Sequence, residues 1–243
     1  MIALQFLTIL PVKIGSEIKE KDFSASLLYF PVVGLLIGLL LSLSAFAFSP
    51  LSALVRGAMV LIVSIFITGG IHLDGFVDAC DGLYGNRSRE KILEIMRDSR
   101  IGAMGAIGVA SLLLLKFSLI ASLPESFLWK ALIIMPVFSR LSQSFSCHAV
   151  CYVRQEGRAK YFMEHPRKRD LLGGCIFTLG VSLLLMPLKG PILLFLSLIP
   201  VSLFLYYIKK KIGGMTGDTI GAVNEIAEVG VLFFSLILSR IPL

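Results

Sequence analysis

Hydrophobic residues in this chain run in long unbroken blocks, and the polar residues gather between them. Phe23 to Val55 carries no charged side chain over 33 positions, and Leu171–Leu188 and Gly190–Ile208 are uncharged as well. A helix of about 20 apolar residues crosses a hydrocarbon core of roughly 30 Å, so each block is long enough to span a membrane. Four further blocks are apolar but interrupted: Ser52–Ile71 by Arg56, Ile101–Leu123 by Lys116, Leu128–Val150 by Arg140 and Val229–Leu243 by Arg240. The pattern predicts an all-α fold, a polytopic integral membrane bundle of about seven transmembrane helices, in one membrane-embedded domain over residues 1–243. Met1–Val12 is apolar without a basic start and Pro11 ends it early. That segment reads as a short helix lying at the membrane surface or folding back into the membrane, not as a cleaved leader.

Composition narrows the class. Apolar residues make up 56% and charged ones 16%, against about a quarter charged in soluble domains. A soluble enzyme, a disordered chain and a fibre are excluded. The net charge of +7 would point to nucleic acid in a soluble protein, but here its placement decides. Seventeen of the 23 basic residues fall in Lys13–Asp22, Asn86–Arg100, Arg154–Asp170 and Lys209–Lys211. With seven crossings these stretches share one side, which the positive-inside rule makes cytoplasmic, together with the N-terminus. No nucleic-acid partner is expected, and Arg167-Lys168-Arg169 reads as a contact for anionic lipid headgroups. The four cysteines have no C-x-x-C spacing and are expected to be free thiols on the reducing side.

The acidic residues carry the chemistry. In Gly69-Gly70-Ile71-His72-Leu73-Asp74-Gly75-Phe76-Val77-Asp78-Ala79-Cys80-Asp81-Gly82, three aspartates recur at i, i+4 and i+7. At about 100° per residue they fall within roughly 60° of one another on a helix. Such a stripe at a membrane boundary needs a compensating cation, and rows of carboxylate oxygen suit a hard one, Mg²⁺ or Mn²⁺. A second constellation, Gly213-Gly214-Met215-Thr216-Gly217-Asp218, leads into a helix bearing Asn224, Glu225 and Glu228. It reads as the opposite wall of one acidic cavity, with glycine-loop amides able to face phosphate. Arg97-Asp98-Ser99-Arg100, the intramembrane Arg140 and the loop Arg154-Gln155-Glu156-Gly157-Arg158 supply cations for a polyanion, and His72 adjoins the aspartates. Together these groups match phosphoryl transfer from a diphosphate donor, with one aspartate free to take the proton of an attacking hydroxyl.

Two resemblances bear on this reading. The aspartate stripe is similar to that of the CDP-alcohol phosphotransferases, but their full Asp-Gly-x-x-Ala-Arg pattern is missing. The run Gly69–Gly82 with Arg89-Glu90-Lys91-Ile92-Leu93-Glu94-Ile95-Met96-Arg97-Asp98-Ser99-Arg100-Ile101-Gly102 strongly resembles the cobalamin synthase family. So do Phe6-Leu7-Thr8 with Pro11-Val12, Phe30-Pro31 with Gly34, and Gly213–Asp218 with Glu225. Ile9 and Gln155 depart from that family's usual residues.

The resemblance implies an Mg²⁺-dependent adenosylcobinamide-GDP ribazoletransferase of the cell (inner) membrane, with its active site facing the cytoplasm. Such an enzyme joins adenosylcobinamide-GDP to α-ribazole or its 5′-phosphate and releases GMP, the last assembly of the nucleotide loop. It implies Asp74, Asp78, Asp81, Asp218 and Glu225 as metal ligands, with Asp78 or Asp81 the catalytic base. It also implies His72, Asp98, Arg100, Arg140 and Glu228 as substrate-binding groups. Homo-oligomerisation is compatible with it. The rival from another class is a cation-coupled transporter using intramembrane carboxylates.

Overall fold

The computed structural model describes residues 1–12, 15 and 19–242, so Lys13 of the first basic stretch and Leu243 of the last predicted block lie outside it. Among the described residues the chain forms twelve α-helices: α1 (Ile2–Leu7), α2 (Glu20–Ser26), α3 (Phe30–Ala47), α4 (Ala53–Thr68), α5 (Ile71–Leu83), α6 (Arg89–Ile95), α7 (Ala103–Ser122), α8 (Glu125–Ala149), α9 (Lys160–Met163), α10 (Lys168–Leu185), α11 (Lys189–Ile212) and α12 (Gly217–Ser239). No strand accompanies them among the described residues; one isolated parallel bridge joins Tyr152 to Met215. The expected all-α architecture is present, and the N-terminal segment is the short helix α1.

All seven predicted crossings fall on helices, but they are not equal. By length and apolarity Glu20–Ala47, α7, α11 and α12 each qualify alone, and α4 with α5 qualifies only as a pair bent by 93°. The polar second half of α8, from Ser139 to His148, dilutes that helix, and Lys168, Arg169 and Asp170 do the same to α10. The count of about seven thus becomes four clear spans and a fifth if the bent pair is one. The last block is also longer than its apolar stretch. The helix starts at Gly217, as the glycine run leading into the Asn224, Glu225 and Glu228 helix predicts, and it continues without a break through the apolar block from Val229.

The exterior is apolar. Phe46, Phe195 and Leu184 are 77%, 69% and 83% exposed, an arrangement stable against lipid and costly in water. Inside, backbones approach closely where side chains are small. A Cβ on Gly38 would meet the Ile133 backbone at 2.7 Å, which lets α3 lie flush on α8. A Cβ on Gly75 would meet Asp218 Cα and O at 2.9 Å, and Gly221 faces the His72 carbonyl, so α5 sits directly on the first turn of α12. Gly75→Ala is therefore expected to cost about 1–3 kcal/mol through overpacking. Thermal unfolding of the purified protein in detergent checks it, and an unchanged melting temperature would refute the close approach.

Candidate active site

Gly69 and Gly70 both take left-handed conformations, φ 62° and 69°, which residues with a Cβ adopt at a cost. The chain turns there by 93° and α5 presents its aspartates on one stripe, as their spacing predicts. Asp74 is exposed, and Asp78 and Asp81 are half-buried.

The opposite wall is assembled by a second turn. Gly213 ends α11 with φ 78°, and Thr216 caps α12 by accepting from the Thr219 amide at 3.2 Å. Beside this turn the loop after α8 is stitched in. Met215 N donates to Cys151 O at 2.8 Å and Val153 N donates to Met215 O at 2.9 Å. This places Arg154 next to α12, where its Nη2 donates to Asp218 Oδ2 at 2.6 Å and to Met96 O at 3.2 Å. Burial pushes the Tyr152 phenol up, against the pull of Arg154.

Asp218 thus joins the stripe, and Asp78 feels it together with Asp74 and Asp81, with Arg154 the nearby cation. Among the described residues no lysine, arginine or histidine forms an ion pair with Asp74 or Asp78. Nor do any three His, Cys, Asp or Glu residues among them stand close enough to hold a metal ion by themselves. That donor set still fits one hard cation. Mg²⁺ is commonly held by one or two carboxylates and completes its shell with water and substrate phosphate.

Asp81 is placed differently from its neighbours. Its Oδ2 accepts from Gly102 N and its Oδ1 from Gly105 N, both at 2.8 Å, so it caps the first turn of α7 from a neighbouring helix. Asp98 and Arg100 stand on the α6–α7 connection and pair with each other at 2.6 Å, apart from the stripe. The Arg100 side chain and backbone hydrogen bonds hold Asp98 down at about 2.

Glu225, Glu228 and Arg140 form a separate buried cluster centred on Lys116. Its Nζ reaches Glu225 Oε2 at 2.5 Å and Glu228 Oε2 at 2.6 Å, and Arg140 Nη1 reaches Glu228 Oε1 at 2.6 Å. Asn224 Nδ2 donates to Glu228 at 3.0 Å. Two cations and two carboxylates neutralise one another there. The carboxylates assigned to metal and substrate are already engaged, and only Asp218 of α12 joins the aspartate stripe. His72 is buried between this cluster and the stripe. Sequence reasoning noted Lys116 only as an interruption in an apolar span, although a lone intramembrane lysine is itself a signal for a buried acid. It also left the partner of Arg154 open.

A cavity of about 230 Å³ opens beside Asp74, Arg154 and Asp218 and is walled by Phe6, Phe30 and Phe162. A polar cavity of about 500 Å³, lined by Arg97, Arg154, Gln155, Glu156 and Gly157, adjoins it through Arg154. The four cysteines are free thiols.

Against known proteins, a family model described as Cobalamin-5-phosphate synthase matches residues 1–236. A protein of Alkaliphilus metalliredigens called adenosylcobinamide-GDP ribazoletransferase is 39% identical, over 97% of this chain and 94% of its own. One of Caldanaerobacter subterraneus with the same name is 37% identical, over 98% and 97%. A third, of Acetivibrio thermocellus, is 38% identical, over 94% and 93%. No solved structure matches.

Proposed function

The chain belongs to the cobalamin-5-phosphate synthase family, and from that premise we propose that it is an adenosylcobinamide-GDP ribazoletransferase. It moves the adenosylcobinamide phosphate moiety of adenosylcobinamide-GDP onto α-ribazole or its 5′-phosphate. A ribose hydroxyl oxygen of the acceptor bonds to the phosphorus nearer the cobinamide. The bond from that phosphorus to the bridging oxygen breaks, and GMP leaves. The observation that carries the reading is a cavity lined together by Asp74, Asp218 and Arg154, with Asp78 close enough to feel all three and without an ion pair of its own among the described residues.

In this reading Asp74 would hold Mg²⁺ with Asp218 beside it, which leaves Asp78 off the metal. When bound, the cation offsets charge on the diphosphate and on the departing GMP. Arg154 stands at the junction of both cavities and binds diphosphate oxygens, a role suited to its planar fork of donors. Asp78, half-buried on the stripe, takes the proton of the attacking hydroxyl. Asp81 holds α7 in place and so sets where the stripe ends, while the Lys116 cluster fixes α7, α8 and α12 against one another. In this reading the site faces the cytoplasm, which the gathering of basic residues in the loops around it favours. Buried carboxylates neutralised within the bundle do not favour cation transport.

Purified protein supplied with adenosylcobinamide-GDP, α-ribazole and Mg²⁺ is expected to yield cobalamin and GMP in equal amounts, and none after chelation of the metal. If a relative prepared in parallel is active and this chain is not, the transferase reading fails. Product formed equally well under chelation removes the metal assignment alone.

A further inference from the structure

We propose that Glu156 selects the base of the donor nucleotide: its carboxylate accepts hydrogen bonds from guanine N1–H and the guanine 2-amino group. The base then lies in the cavity that Glu156 shares with Arg97 and Arg154. The proposal rests on the transferase reading and goes beyond it by assigning base selection to one side chain.

The loop that carries Glu156 has a defined shape. Tyr152 Oη donates to the Glu156 carbonyl at 3.2 Å, and the bond from Val153 N to Met215 O ties the loop to the turn before α12. Gly157 takes φ 139°, which residues with a Cβ rarely adopt, and a Cβ there would run into the Tyr152 hydroxyl. Glu156 is thus held in the wall of the polar cavity of about 500 Å³. That volume falls within the ~300–1,000 Å³ usual for a small-molecule site.

The charges in this wall are unsatisfied. Among the described residues neither Arg97 nor Glu156 forms an ion pair, although both line one cavity. Arg154 spends Nη2 on Asp218, and its Nε is buried without an acceptor. A ligand that satisfies the wall brings acceptors for two guanidinium groups and donors for one carboxylate. Phosphate oxygens are the acceptors. Like charge keeps them away from Glu156, so the carboxylate faces the other end of the nucleotide. Guanine presents N1–H and the 2-amino group side by side on one edge, two donors for the two oxygens of a carboxylate. Adenine turns an acceptor nitrogen to the same place, lone pair against lone pair.

Equilibrium binding of GMP, IMP and AMP to the full chain in detergent with Mg²⁺ tests this without turnover. The native protein is expected to hold GMP about tenfold more tightly than IMP, which lacks only the 2-amino group, and AMP most weakly. In Glu156→Gln the amide keeps one acceptor and gains a donor, which adenine can use and guanine cannot. GMP is expected to weaken about tenfold there, the worth of a hydrogen bond to a charged group, with AMP unchanged or tighter. Arg97→Met removes a phosphate contact and is expected to weaken all three alike. Native protein with no preference for GMP over IMP overturns the assignment. So do equal losses of GMP and AMP in Glu156→Gln, the pattern of a carboxylate that holds ribose hydroxyls or only shapes the loop. The transferase reading fails by a different result, native protein that shows this base preference and makes no cobalamin from its substrates.

Discussion

Replacing Lys116 with methionine is expected to destabilise the protein by about 3–5 kcal/mol, the cost of leaving a buried charge without its partner. Lys116 is 4% exposed and is the cation shared by Glu225 and Glu228. Glu228 keeps Arg140 when the lysine is gone, but among the described residues Glu225 keeps only the amide of Asn224, at 3.2 Å. Glu225 is therefore the stranded group. The double variant Lys116→Met with Glu225→Gln removes one charge of each sign and is expected to recover most of the loss. Thermal unfolding of the three proteins in detergent measures the coupling. Equal losses in the single and double variants would show that the cluster does not balance as a unit.

Asp78→Asn is expected to lower turnover by about 10²–10⁴-fold, the usual weight of a positioned acid–base group, with little change in stability. Among the described residues none donates a hydrogen bond to the Asp78 carboxylate and no cation pairs with it, so the uncharged amide leaves no partner stranded. Asp81→Asn separates the two roles that the stripe combines. It removes one acceptor from the capped turn of α7 and is expected to cost about 1–2 kcal/mol, with activity falling only as far as folded protein is lost. Initial rates per folded molecule, measured beside the melting temperature, distinguish the two variants. A large rate loss in Asp81→Asn at full stability would move the base from Asp78 to Asp81.

The sequence pattern held most of the fold because a membrane leaves the backbone few options. Uncharged blocks read directly as helices, and the i, i+4, i+7 spacing placed Asp74, Asp78 and Asp81 on one stripe before any contact was seen. What it could not convey was partnership. Asp81 and Asp78 look alike along the chain, and only the arrival of Gly102 and Gly105, more than twenty residues later, makes one of them a cap. Glu225 looked like an extension of Asp218 because both share a helical face. The two diverge because α12 carries Glu225 inward, to a lysine contributed by α7. Gln143 gave no local signal at all. Its side-chain oxygen is buried without a hydrogen-bond partner among the described residues, which no spacing encodes.

The Lys116 cluster also has a consequence for how the protein is made. Its cations lie on α7 and α8, and the acids that neutralise them lie 109 and 88 residues further along. At ribosomal rates of about 5–20 residues per second, α7 waits on the order of 5–20 s for its counter-charge to be synthesised. During that interval a lysine and an arginine stand in or near the bilayer unpaired, each at about 2.5–3.5 kcal/mol on the insertion scale. A helix made well after α7 and α8 is thus the one that locks them, and chains interrupted before α12 leave both cations without their counter-charge.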